Sequence, residues 1–569
     1  MYKNLLVSPL SHSSKGPASR KRGHPLTPLS LSLTGLLILF GASGSLHAET
    51  IRVPSDEPTV EAALAIATPG DEILVAEDSY QLAEGFTIQT ENLTLRSEVE
   101  HGAVFVLGGF PNQLLTIEAD GFQFLDFGAY CPVVFDIDRD VEGTVFRNNE
   151  FYCSSPVWPA FSDRGIGLRF ESNRVQGFFG IGDTGAEAVV QDNLFIFNGS
   201  PLVISKEATV LNNRFERNKA FGDDGSSGAG GAIWIYGDFP PGGVRILQNE
   251  FVFNVTDLAS SEAPGYGGAI FVQHASGVEI AGNYFTENQS RRGAALFAQD
   301  SDLVLRENIF YANSDSIVYE TDPERGIGGA LRLENVGGEV ANNTMVGNRA
   351  GLGGGAVSFE GPSVPEFRGN LIVANWTDGA TIEADDTAPE VWSCNDVFEN
   401  ESAVEFSGWP DPTGTNGNIS AEPLFCDASA EDFTLQGDSP CLPNNSPSGC
   451  GLIGATGVGC PVATVEVGAT GFDTKLRISP NPAREMVTIR SAPNRNLGGV
   501  AEPSRLRIVD VNGRLVREWS LLSVLTRIAG GDSEWVVRWD LRDNRGEPVR
   551  RGRYFVFAPG GRGQVLVLK

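Results

Sequence analysis

Through the middle of the chain, apolar residues come in short runs of period two, each flanked by asparagine. The unit is N-x-φ-x-x-N, with φ apolar: "NLFIFN" at Asn193, "NRFERN" at Asn213, "NEFVFN" at Asn249 and "NYFTEN" at Asn283. It continues as "NIFYAN" at Asn308, "NTMVGN" at Asn343, "NLIVAN" at Asn370 and "NDVFEN" at Asn395, with copies at Asn149 and Asn173 that lack the second Asn. Three positions before the first Asn stand Val190, Val210, Ile246, Ile280, Leu305, Val340 and Phe367. Two positions after it stand Phe195, Phe215, Phe251, Phe285, Phe310, Met345 and Ile372. The residues between are mostly polar or variable. That alternation predicts short β-strands with one side inward. No helical period of comparable length runs through the region.

A second pattern falls between these units: "GGAIWIY" at Gly230, "GGAIFVQ" at Gly267, "GAALFAQ" at Gly293, "GGALRLE" at Gly328 and "GGAVSFE" at Gly354. Each repeat is therefore an Asn-flanked strand, a loop of variable length, a glycine turn and another strand. The Asn-to-Asn spacing is irregular, from 20 to 36 residues, and most of the extra length enters at the loop between the second Asn and the glycines. Short strands at coil-length spacing predict an all-β protein built on a right-handed parallel β-helix. A sandwich would need recurring hairpin signals, which this region lacks. Equivalent residues of successive coils then stack at about 4.8 Å. A buried polar group must be hydrogen-bonded, and the Asn amide can serve the turns above and below it. Asn193, Asn213, Asn249, Asn283, Asn308, Asn343 and Asn370 are accordingly expected to form a structural ladder. Taken alone, "GYGGAIFVQ" (Gly265 to Gln273) has the look of a phosphate-cradling loop. A phosphate loop would not return five times, so Gly267 and Gly268 are expected to serve the turn.

The pairing of "GGAI" with "F-x-x-N" resembles the repeat of the chlamydial polymorphic outer-membrane proteins, and more broadly the right-handed parallel β-helix proteins of the pectin-lyase type. "IRVPSDEPTVEAALAIATPGDEILVAEDSY" is similar to the first coil of many such bacterial proteins. "ISAEPLFCDASAEDFTLQGDSPC" with "CGLIGATGVGC" is similar to their closing segment. The resemblance implies the fold and leaves the activity open, since lyases, hydrolases and adhesins share this scaffold. Independently of it, Val60, Ala63, Leu64 and Ala67 fall on one helical face, which predicts a lid over the first coil.

The pattern changes at both ends. Lys15, Arg20, Lys21 and Arg22 precede the apolar run "LSLSLTGLLILFGA", and "SLHA" offers small residues for cleavage, so residues 1–48 read as a signal peptide. No other segment is apolar enough for a transmembrane helix, so none is expected in the mature chain. Residues 49–460 are assigned to the β-helix with its helical cap and Cys-rich closing segment, 461–472 to a linker and 473–569 to a C-terminal module. That module has about seven alternating runs in 97 residues and the hairpin signal "DVNGRLV", which predicts an immunoglobulin-like β-sandwich. "SPNPA", "DVNGRLVR" and "WDLRDNRGEPVRRGRYF" resemble the flagellar hook-capping domain and the type IX secretion sorting domain. The resemblance implies export to the surface of a Gram-negative-type bacterium, with secretion machinery as partner of the module.

Cysteine usage fits export. Cys131, Cys153, Cys394, Cys426, Cys441, Cys450 and Cys460 include no C-x-x-C, and the histidines lie away from them, so zinc is not expected and disulfides are. The odd count leaves at least one thiol unpaired within the chain, and five of the seven fall from Cys394 to Cys460, which predicts that this segment is stapled. The formal charge is −30 overall; the chain from Gly471 carries +8 and the first 48 residues +5, leaving −43 for residues 49–470. A body this acidic argues against nucleic acid and suits calcium or a basic partner.

The strands after the glycines carry the candidate chemistry. Ile233/Ile235, Ile270/Val272, Leu296/Ala298, Leu331/Leu333 and Val357/Phe359 set the inward side. The outward columns are then Trp234, Phe271, Phe297, Arg332, Ser358, and Tyr236, Gln273, Gln299, Glu334, Glu360. An exposed aromatic stack beside amides and carboxylates suits sugar binding. Trp234, Tyr236, Phe271, Gln273, Phe297, Gln299 and Arg332 are therefore the ligand-binding candidates. Glu334 and Glu360, one coil apart and about 5 Å apart at the backbone, are the candidate catalytic pair, near the separation of retaining glycosidases. Asp223 and Asp224, in a long loop, are the calcium candidates. Three readings stand: an exported adhesive or carbohydrate-binding β-helix, a polysaccharide lyase or glycoside hydrolase on the same face, and a structural surface protein with no small ligand. No G-x-S-x-G, Walker loop or H-E-x-x-H occurs.

Overall fold

The computed structural model describes residues 48–567 apart from short segments, chiefly 108–113, 221–228, 257–264, 316–325, 461–475 and 491–504. The expected signal peptide and linker lie outside the described residues.

The body is the expected parallel β-helix. Where the glycine turns recur, a typical coil runs through a first strand after the turn, a second strand, a three-residue third strand and a two-residue fourth strand. One coil reads Ile233–Asp238, Val244–Leu247, Glu250–Val252 and Val255–Thr256. Successive coils pair in parallel and in register: Phe215 with Phe251, Phe251 with Phe285 and Phe285 with Phe310. In two coils the first and second strands fuse, as Leu296–Arg306 and Leu331–Ala341, with the bend at Asp300 and Asn335 in positive φ.

The alternation read from sequence is the core. Val190, Val210, Ile246, Ile280, Leu305, Val340 and Phe367 are buried, as are the residues two after each Asn. The third-strand rings stack at coil spacing, with centroids 4.8 Å apart for Phe195 and Phe215 and 4.7 Å for Phe285 and Phe310. The ladder asparagines bond as their amide chemistry predicts. Asn283 Nδ2 donates to Ile246 O at 2.8 Å and to Asn308 Oδ1 at 3.0 Å, while Asn283 Oδ1 accepts from the Asn249 N–H at 2.8 Å. The second Asn of the motif forms a parallel ladder, from Asn198 through Asn218, Asn254, Asn288, Asn313, Asn348 and Asn375. The backbone turns just before each ladder, so the preceding residue sits in positive φ, as Gln248, Glu307 and Phe253 do.

The lid is the helix Val60–Ile66, which buries Val60 and Ala63, while Leu64 and Ala67 pack partly against the core. Thr59 caps it by accepting from the Ala62 N–H at 3.1 Å. Thr59→Ala should cost about 1 kcal/mol of stability, read as a lowered midpoint in denaturant; an unchanged midpoint would mean the cap adds nothing.

The Cys-rich segment forms a small sheet from Phe425–Asp427, Asp432–Gln436 and Val458–Cys460. It folds back on the outer side of the third strands, where Phe433, Leu435, Leu442 and Ile453 pack on Val346, Leu371 and Val373. Disulfides Cys394–Cys450 and Cys426–Cys460 staple it, and Cys441 is a buried free thiol. Cys131 and Cys153 lie outside the described residues. The C-terminal module is two four-stranded antiparallel sheets around Val487, Ile489, Leu506, Ile508, Val537, Trp539, Val556 and Val565. Ion pairs Arg551–Asp192, at 2.5 Å, and Arg553–Glu250, at 3.1 Å, join it to the β-helix.

Candidate functional site

The glycine turns place one continuous face. Gly267 has φ +59°, and a Cβ on Gly268 would lie 2.1 Å from Ala294 O in the next coil. Only glycine permits that approach, so the glycines of "GYGGAIFVQ" are architectural and they present the strand that follows. The pairing is in register as expected: Trp234 beside Phe271, Phe271 beside Phe297, Phe297 beside Arg332 and Arg332 beside Ser358. The second column aligns Tyr236, Gln273, Gln299, Glu334 and Glu360.

The first column is outward from the coil and yet covered, which corrects the expected exposed stack. Phe271 and Phe297 are fully buried and Arg332 is 1% exposed, while Trp234 is half-buried. The residue before the glycine turn folds back over this side. Tyr266 lies with its ring centroid 5.1 Å from Phe271 and 5.0 Å from Phe297, closing a small apolar cluster with Ala229. Phe271, Phe297 and Arg332 are thus unavailable to a ligand on this face.

Arg332 occupies a charged pocket. Its guanidinium ion-pairs with Glu360 of the next coil and sits 5.7 Å from the Phe297 ring centroid. Ser358, its small neighbour in the column, is followed by Glu383. Burial holds the Glu383 carboxyl above the usual range, opposed by the charge of Arg332. Asp315, fully buried in the fourth strand, is held well above that range by burial, with Arg332, Arg292 and nearby N–H groups acting against it. Arg332 and Asp315 thus lie beneath the surface, while Glu360 and Glu383 beside them stay half-buried.

The second column is accessible. Tyr236, Gln273, Gln299, Glu334 and Glu360 are all half-buried. Gln273 Nε2 donates to Gln299 Oε1 at 3.2 Å, and Gln299 Nε2 donates to Glu334 Oε1 at 3.0 Å. The amides therefore form an oriented chain that ends on a carboxylate. Glu334 and Glu360 are brought together on neighbouring strands, but both act as acceptors, one from an amide and one from an arginine. Asp223 and Asp224 lie outside the described residues. Among the described residues no group of three His, Cys, Asp or Glu side chains converges as a metal site.

No protein-family model and no curated protein matches the chain. Several solved structures are similar. One is a mannuronic acid specific polysaccharide family 6 lyase from human gut microbiota, at 16% identity and TM-score 0.35, covering 64% of this chain and 92% of that one. A PL6 alginate lyase in complex with a trisaccharide shows 12% identity and TM-score 0.33 over 74% of this chain and 97% of that one. The catalytic domain of a GH87 α-1,3-glucanase with nigerose shows 10% identity and TM-score 0.29 over 65% and 69%. At these identities, function has to be argued from the side chains of this chain.

Sequence reasoning missed Tyr266, Asp315 and Glu383. Tyr266 belongs to a column with Ala229, Arg292, Ile327 and Gly353, each one residue before a glycine turn, which alignment on the glycines would have shown. Glu383 extends the Arg332 column by one coil, but its strand lies within "DGATIEA", which lacks the double glycine. Asp315 carries no signal: its place in a buried column is visible only once the coils are stacked.

Proposed function

We propose that this chain is an exported carbohydrate-binding β-helix that holds a polysaccharide along the second outward column, with the C-terminal sandwich serving sorting or surface attachment. The observation that supports the reading is the hydrogen-bonded chain Gln273–Gln299–Glu334, continued by Glu360 and preceded by Tyr236, with one polar group per coil. A rigid row of donors and acceptors at fixed spacing needs no reordering to engage successive hydroxyls, which lowers the entropic cost of binding. The test is a polysaccharide panel, with and without calcium, scored for binding and for cleavage. Gln299→Ala, which interrupts the row, should weaken binding about tenfold by affinity electrophoresis or calorimetry. An unchanged affinity would remove the column from the binding site, and no binding across the panel would remove the function.

Polysaccharide cleavage is the second reading, favoured by the direct pairing of Glu334 with Glu360. It requires one carboxyl free to act on the glycosidic oxygen, whereas Glu360 is already engaged by the Arg332 guanidinium. If the panel shows cleavage, Glu334→Gln and Glu360→Gln should each abolish it, and undiminished turnover would eliminate the pair.

A further inference from the structure

Resting on that binding reading, we infer that the ligand is a neutral, hydroxyl-rich glycan and that polyuronates are disfavoured. The argument is the charge along the accessible column. It offers the Tyr236 hydroxyl, two amides and then Glu334 and Glu360, and Asp385 lies exposed one coil further on. At the adjoining bend Asp300 is also exposed, accepting from Asn335 Nδ2 at 2.9 Å.

Among the described residues, the cations beside this column do not offset these groups for a ligand. Arg332 is 1% exposed and committed to Glu360. Arg292 lies on the other side of the aromatic cluster, its guanidinium 5.4 Å from the Tyr266 ring centroid. His274 faces Asp300, with Nδ1 3.4 Å from Oδ2. A uronate carboxylate on the column would therefore meet like charge at close range. Each such contact is expected to weaken binding by up to about tenfold, and the −43 of residues 49–470 adds a longer-range, salt-sensitive repulsion. Hydroxyls have the opposite relation to the same groups. A carboxylate accepts charge-assisted hydrogen bonds from them, and the amides both donate and accept.

The experiment uses the purified chain without its first 48 residues, with laminarin and glucomannan as neutral probes, polymannuronate and polygalacturonate as anionic probes, and chitosan as the cationic probe. Affinities are measured at low and high salt. At low salt a neutral glycan should bind at least tenfold more tightly than either polyuronate, and added salt should narrow the gap. Glu334→Gln, which keeps a hydrogen-bonding partner for Gln299 and leaves the Arg332 pair intact, should also narrow it by raising polyuronate affinity. A polyuronate that binds as tightly as the neutral glycans, or binding by chitosan alone, would overturn the inference while leaving carbohydrate binding in place. Failure of every probe to bind would overturn the binding reading itself, and the inference with it.

Discussion

Gly268→Ala is expected to destabilise the β-helix by about 3 kcal/mol or more, a larger loss than most single substitutions cause. The new Cβ would lie 2.1 Å from Ala294 O and 2.7 Å from both the N and the O of Gln289. All three are backbone atoms of the next coil, so no side chain can swing aside. Relief requires the coils to part where Ala269 and Ile270 donate to Ala295 O at 3.0 Å. The same approach recurs at Gly231 and Gly329, whose Cβ positions lie 2.0 and 2.1 Å from carbonyl oxygens one coil on. Gly282 supplies the control. It has φ +66°, and its nearest Cβ neighbour is a side-chain carbon at 3.7 Å. The equivalent turn holds Gln248, Glu307 and Asn342 in the same left-handed region. Gly282→Asn should therefore stay within about 1 kcal/mol of the parent. Thermal melts of the two variants at one scan rate decide the matter; equal melting temperatures would mean that coil-to-coil approach does not explain the repeated glycines.

That contrast shows what was legible in the sequence. Period-two alternation, the paired asparagines and the recurring glycines each constrain a local choice, and the choices agree, so the coil and its register could be read without coordinates. The direction of the outward columns followed from the same alternation. Their exposure did not, because it depends on what folds over them. Phe271 and Phe297 lie under Tyr266, which is close in sequence but not part of the strand. Arg332 could be placed on the face by register. Its partners lie on other strands, Glu360 in the next coil and Asp315 in a fourth strand. Alternation tells which way a side chain leaves the coil, and only the tertiary structure tells whether it meets solvent.

Asp396 is the same lesson with a measurable consequence. It follows ladder Asn395 on the outer side of the third strand, beside Leu371, where an ordinary surface carboxylate would be expected. The Cys-rich segment covers it. Oδ1 accepts from the Ala421 N–H at 2.9 Å, and Oδ2 lies 3.1 Å from the buried Cys441 Sγ. Burial pushes the carboxyl up to about 6 from an ordinary 3.8, against the two hydrogen bonds, and burial with the facing carboxylate pushes the Cys441 thiol up as well. A folded pKa above the unfolded one means that the folded state holds the proton more tightly. Its contribution to stability is complete below about pH 4 and is lost as pH rises through about 6, a change of roughly 3 kcal/mol. Asp396→Asn keeps an acceptor for Ala421 and cannot ionise. Relative to this variant, the parent should lose melting temperature between pH 4 and pH 7, with the steepest divergence near about pH 5, midway between the unfolded and folded values. Subtracting the two curves cancels the titration of the other carboxylates in the acidic body. Parallel curves would show that Asp396 titrates alike folded and unfolded, and that the Cys-rich segment does not exclude water from it.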